Sequence, residues 1–159
     1  MAPVVSSPAA TSASSELVEL RKMYSKAGIN KENASDFYNK TVAIRSEEAI
    51  VLGYKGFALT LKAKYENELL KKKNNFTKGI ELLESSIKKD PQSVELRVLR
   101  MSIQENAPRF LNYNKNLSED KQLILNGFLK SKTEVKTIAI HFMRSSKLFS
   151  EADLKTLGL

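Results

Sequence analysis

The chain has 159 residues, of which 42% are hydrophobic and 28% charged, with a net charge of +8 at neutral pH. That length suffices for one domain with a proper core. Cysteine is absent, which excludes disulfides, thiolate-held metal and thiol catalysis, and no run approaches the ~20 apolar residues that cross a bilayer, so no transmembrane segment is expected.

Six glycines and four prolines are few for a turn-rich β architecture, and the apolar periodicity throughout is helical. Residues 1–14, MAPVVSSPAATSAS, carry no charged side chain and too little apolar surface to offset ordering entropy, so a disordered tail is expected ahead of one helical domain over 15–159. The tail lacks the basic and long apolar regions of an intact signal peptide. The compartment is left open: periplasmic if a signal was removed from the chain, cytoplasmic otherwise.

A first helix is expected from Ser15 to Ala27, N-capped by Ser15 and stopped at Gly28-Ile29 in a Schellman turn. A second, over 31–44, carries Ala34, Phe37, Tyr38 and Val42. The third is the longest, over 47–67, capped by Ser46. It presents Ile50, Tyr54, Phe57, Leu61 and Tyr65 on one face and Ala49, Gly56 and Ala63 on another. Two such faces imply neighbours on both sides, and Gly53 and Gly56 each sacrifice up to ~1 kcal/mol of helix propensity, for which close packing is the reason.

The fourth helix, over 74–89, repeats Phe76, Ile80, Leu83 and Ile87 on one face and is ended by Asp90-Pro91. Lys71, Lys72 and Lys73 are placed in the loop before it. Ser93 caps the fifth helix, over 93–107, whose two apolar faces (Val94, Val98, Met101 and Leu96, Leu99, Ile103, Ala107) predict a helix sandwiched between others. Between those faces runs a polar stripe of Arg97, Arg100 and Gln104. Two arginines one turn apart can clamp a carboxylate or phosphate. The favoured reading is structural: the stripe ties down Asn114, a carbonyl of the 108–117 loop, or a glutamate of the third or fourth helix, because a buried guanidinium needs partners. That loop, after Pro108, holds Arg109, Phe110, Asn112, Tyr113 and Asn114 as a second candidate binding element. A sixth helix follows over 119–130. Ser131 with Glu134, and Ser150 with Asp153, form capping boxes for two more, giving seven or eight helices in all.

The spacing of Phe76, Gly79, Leu83, Ser86 and Pro91 resembles the second helix of a tetratricopeptide-type repeat. A longer stretch is similar to a family of small, uncharacterised bacterial proteins with a tetratricopeptide-like fold. The similarity rests on Gly53-Tyr54-Lys55, Ala63-Lys64-Tyr65 and the pattern from Glu95 to Asn114, where Asn112 replaces the usual glycine before Tyr-Asn. Asparagine tolerates positive φ almost as glycine does. The resemblance implies an all-α fold of stacked antiparallel helix pairs and carries no known activity.

Catalytic equipment is not legible. His141 is the single histidine, and it has no acidic or histidine neighbour at ligand spacing. Asn112, Asn114 and Asn116 alternate like the start of a calcium loop, but Leu117 and Leu123 stand where glycine and glutamate are required. Glu81, Glu84 and Glu95 read as surface acids among lysines, with Glu84–Lys88 an ordinary i,i+4 pair. No cofactor, metal or enzymatic activity is therefore expected. The functional reading is a non-catalytic scaffold for protein or peptide interaction, with a basic module for nucleic acid or another polyanion as the alternative. The scattering of the lysines favours a solvated surface over a polyanion site.

Overall fold

The computed structural model describes the backbone of residues 8–159 and the side chains from Ser15 onward. Among these residues there is no strand. Eight α-helices follow one another, α1 (Pro8–Ala27), α2 (Lys31–Ala43), α3 (Ala49–Lys64), α4 (Leu69–Lys89), α5 (Val94–Asn106), α6 (Leu117–Gly127), α7 (Thr133–Ser145) and α8 (Glu151–Thr156), with a 3-10 turn at Arg109–Leu111. The expected all-α class is what the molecule has. No helix among the described residues is long and apolar enough to cross a membrane.

Helix starts moved most. Residues 1–7 of the expected disordered tail lie outside the described residues, while 8–14 form the first turns of α1, so Ser15 sits inside the helix and does not cap it. Gly28 does not adopt positive φ, and the first helix ends in a plain turn, Ile29 N–H to the Lys26 carbonyl, with Asn30 capping α2. Ser46 accepts from the Glu48 N–H two residues on, a local turn that delays α3 to Ala49. Ser131 donates back to the Gly127 carbonyl, so α7 starts without its expected capping box. The Ser150–Asp153 box forms as expected, with both reciprocal bonds present. Lys71 to Lys73, placed in a loop by sequence, are the first turns of α4, because lysine is a good helix former once an N-terminus lies upstream.

The closest packing in the fold is between α3 and α4. Gly56 and Gly79 face each other so tightly that a Cβ on Gly56 would lie 2.5 Å from the Gly79 carbonyl oxygen, and one on Gly79 would lie 2.6 Å from the Gly56 carbonyl oxygen. A Cβ on Gly53 would collide with Leu96 of α5. The low helix propensity of Gly53 and Gly56 is thus explained by contact: they let two backbones approach and a third helix lock against the pair. Leu83, Leu96, Val98, Leu99 and Met101 fill the space around them, all fully buried, and α5 is buried along nearly its whole length. The sandwiching expected for α5 is observed. The α1–α2 pair closes one side of α3 through Leu20, Phe37 and Tyr24, the last stacked at 5.4 Å on Phe57. The α6 and α7 helices close the far side of α5 with Ile124, Ile138 and Phe142.

Replacing Gly56 or Gly79 by alanine must separate two backbones and should lower stability by about 1–3 kcal/mol, with valine costing more. Gly28→Ala, whose Cβ would meet only Leu61 at an ordinary 3.5 Å, should stay within about 0.5 kcal/mol. Urea midpoints of the three variants measure the difference.

Candidate functional site

The stripe on α5 is interior. Arg97, Arg100 and Gln104 keep 5%, 3% and 3% of their surface exposed; the arginines are held by polar groups from both sides of α5 and Gln104 by Asn116 alone. The capped start of α5, where Ser93 Oγ accepts from Leu96 N–H, fixes the helix register that aims these side chains. Arg97 Nη1 donates to Glu119 Oε1 at 2.8 Å and Asp120 Oδ1 at 2.9 Å, and its Nη2 donates to the Pro91 carbonyl at 2.8 Å. Arg100 forks onto Asp120, Nε to Oδ2 at 2.8 Å and Nη2 to Oδ1 at 2.7 Å, while its Nη1 reaches both oxygens of Glu84. Asp120 is fully buried and is shared by both arginines.

Gln104 forms a reciprocal amide pair with Asn116, accepting from its backbone N–H and donating to its side-chain oxygen, both at 3.0 Å. A helix 4 glutamate is among the arginine partners. Asn114 and the 108–117 carbonyls are not, and the principal acceptor, Asp120, lies in the first turn of α6. Glu84 is correspondingly no surface acid: besides Arg100 it accepts from Tyr113 Oη at 2.6 Å. With both guanidiniums engaged by protein carboxylates, the stripe presents no open fork to a ligand. Arg97 Nε is left buried without a hydrogen-bond partner.

A second buried carboxylate was read from sequence as a surface acid. Glu95, 3% exposed, accepts from Arg21 Nε and Nη2, both at 2.7 Å, and from Tyr54 Oη at 2.7 Å. This knot joins α1, α3 and α5. Its sequence signal was weak, because Glu95 sits in an ordinary helical first turn and Arg21 lies 74 residues away.

The loop candidates split. Asn112 takes φ 54°, ψ 36°, the left-handed conformation its residue type tolerates. Tyr113 is half-buried, edge-on to Phe76 at 6.2 Å. Phe110 is 85% exposed on the 3-10 turn, and Arg109 and Asn114 are exposed beside it. Tyr54 and Phe57, on the expected apolar face of the third helix, are buried. His141 is exposed on α7, edge-on to Tyr24 at 6.2 Å. Among the described residues no group of three or more histidine, aspartate or glutamate side chains is placed to hold a metal ion.

A recess of about 800 Å³ lies over the start of α5. One wall is the first turn of α5, Ser93 to Glu95. The floor is apolar, from Ile50, Val94, Leu123 and Val135. Lys130 and Lys132, both exposed, stand on the rim opposite Asp90. Gly127 at the end of α6 lies close against α5 here: a Cβ there would lie 2.5 Å from Val94 Cγ2. The positive end of the α5 dipole and the two lysines give this wall a cationic character, while Arg21 and Glu95 below it hold each other.

No protein-family model matches the chain, and comparison with curated proteins and with solved structures gave no match.

Burial lifts three phenols. Tyr24 is pushed up to about 12 by desolvation. Tyr54 is raised well above the usual range by burial and by the neighbouring Glu95 carboxylate, and Tyr113 is raised by burial and by its bond to Glu84. The unfolded chain ionises these phenols near pH 10 while the folded chain keeps them neutral. Their contribution to stability is therefore complete below that pH and is lost as pH rises from about 10 through the folded values. Phenolate absorbance should show these tyrosines silent until unfolding, and urea midpoints should fall on the alkaline side.

The arginine knot makes a sharper test. Asp120→Ala strands two buried guanidiniums and should cost about 3–5 kcal/mol. Glu119→Ala, at a side chain 60% exposed, should cost under about 1 kcal/mol. Chemical denaturation of both variants reads the contrast.

Proposed function

We propose that this chain is a non-catalytic helical scaffold of tetratricopeptide-like helix pairs that receives a peptide segment of a partner protein in the recess over the start of α5. The observation that carries the reading is the composition of that recess: an apolar floor of Val94, Leu123 and Val135 beneath the cationic rim of Lys130 and Lys132. Concave surfaces of stacked helix pairs suit extended segments, and the chemistry fits a segment bearing a carboxylate beside one or two apolar side chains. A binding role is favoured over a catalytic one because the ionisable pair under the recess, Arg21 and Glu95, is bound bidentately to itself at 2.7 Å. Proton transfer from that pair would break the knot joining three helices.

Support for the repeat-like architecture comes from the residues that carry the resemblance. Gly79 makes the close approach to α3, Leu83 is fully buried, and Ser86 lies beneath Gly53, 3.7 Å from where a Cβ would stand. The proposed kinship with small bacterial proteins of this architecture rests on the stretch from Glu95 to Asn114, in which Asn112 adopts the conformation glycine would take.

A displayed library of random peptides, selected on the folded chain, tests the reading. Enriched sequences should pair an acidic with an apolar residue, and Lys130→Glu/Lys132→Glu should weaken them at least tenfold with the helical circular dichroism unchanged. No enrichment, or binding indifferent to the double reversal, overturns it.

A further inference from the structure

The end of the molecule where α3 hands over to α4 has surface features the peptide recess does not use. The first buried residue of α4 is Gly79, ten positions into the helix. Ahead of it the opening turn carries Leu69 at 80% exposure and Leu70 at 65%, side by side and packed against nothing. The turn between α1 and α2 is fastened to the same end: Tyr65 Oη donates to the Gly28 carbonyl at 2.7 Å, and Lys64 Nζ approaches that oxygen at 3.4 Å. This brings Ile29, 66% exposed, to the same end as the leucines. Three of the exposed large apolar side chains thus gather at one end of the helical stack, while Phe110, Leu129 and Val42 lie exposed elsewhere.

They are set among cations. Lys71, Lys72 and Lys73 follow the leucines directly on α4 and are all exposed, as is Lys31 at the start of α2. Of the acids at this end, Glu32 is exposed beside Lys31 in the first turn of α2, and the other two are engaged. Glu68 pairs with Lys71 at 2.9 Å, and Glu66 accepts from the backbone N–H groups of Asn67 and Glu68. Those backbone bonds hold the Glu66 carboxylate below its ordinary value, and the charges of Lys71 and Lys31 lower it further, so the α4 start and the α2 start both bring cations near this carboxylate.

We propose that this end of the bundle is a docking surface for an anionic phospholipid bilayer, with Leu69, Leu70 and Ile29 entering the headgroup–acyl boundary and the lysines meeting lipid phosphates and carboxylates. The leucines decide for lipid over another polyanion. A nucleic acid rewards the lysines and leaves adjacent exposed leucines in water, whereas a bilayer takes up the apolar side chains while the lysine heads reach back to its charged surface. Attachment of this kind is peripheral, in keeping with helices too short or too polar to span.

Sedimentation with vesicles of phosphatidylcholine alone, or of phosphatidylcholine mixed with phosphatidylserine, tests the assignment on the full chain. The mixed vesicles should bind at least tenfold more tightly. Leu69→Ser/Leu70→Ser and Lys71→Ser/Lys72→Ser/Lys73→Ser should each remove at least tenfold of that affinity, with folding confirmed by circular dichroism. Lys88→Ser/Lys89→Ser, at the other end of α4, should leave it unchanged. Failure to bind the mixed vesicles overturns the proposal. So does binding that survives the leucine change, binding lost equally with Lys88 and Lys89, or a duplex DNA that competes fully with the vesicles.

Discussion

The structure depends on how charge is accommodated along α5. A helix buried on every side has no solvated face on which to put polar residues, yet this one carries Glu95, Arg97, Arg100 and Gln104, all inside. Each must find its complement within the protein, because leaving a buried charge without its partner costs about 3–5 kcal/mol, a large part of a fold's margin of stability. The complements come from α1, α3, α4 and α6: Arg21 and Tyr54 hold Glu95, Glu84 and Asp120 hold Arg100, and Asp120 with Glu119 holds Arg97. A shift of α5 by one residue would turn these groups toward apolar neighbours. The apolar contacts of Leu96, Leu99 and Met101 supply the attraction in this region, and the ion pairs make one register the acceptable one.

The second constraint is the glycine contact of α3 with α4, and the two reinforce each other. Because Gly56 and Gly79 bring those helices together, Glu84, a little more than one turn beyond Gly79, is carried to the side of α5 where Arg100 waits. Likewise the missing Cβ of Gly53 leaves room for Leu96, and seating Leu96 sets the depth at which Glu95 meets Tyr54 Oη. Packing at three glycine positions therefore decides electrostatic distances several ångströms away.

These dependencies explain what could be read from sequence and what could not. The stripe on α5 was legible as a feature because arginines lying between two apolar faces need polar partners, which favoured a structural role over ligand capture and left the choice to burial. Its partners were not. Asp120 sits beside Glu119 in a first turn where acids are commonplace, and a separation of 20 residues from Arg100 leaves no local trace. Glu95 was misjudged for the same reason. The close-packed glycines were legible because they oppose helix propensity without a turn to justify them. Helix starts were least so: Ser46, Ser131 and Ser150 offer the same hydroxyl, and only Ser150 has an acid three residues on whose bond back to the cap forms. At Ser131 the hydroxyl turned to a carbonyl behind it, a competition decided by the geometry of the preceding helix.

The charge of the molecule takes on a different meaning once the interior is known. The knots pair Arg21, Arg97 and Arg100 with the buried Glu95 and Asp120, the part-buried Glu84 and the exposed Glu119. Those arginines are offset locally, and the net charge of +8 is carried by the remaining side chains, lysines above all. Those lysines are scattered in sequence, but the fold concentrates effect in two places by different means. Over the start of α5, Lys130 and Lys132 act with a helix terminus above an apolar floor. At the α3–α4 end, Lys71 to Lys73 act with leucines that nothing covers. A count of basic residues cannot separate these surfaces from an inert solvated one. The neighbouring apolar side chains are the physical ground for proposing a peptide at one patch and a bilayer at the other, a choice that charge alone would leave open.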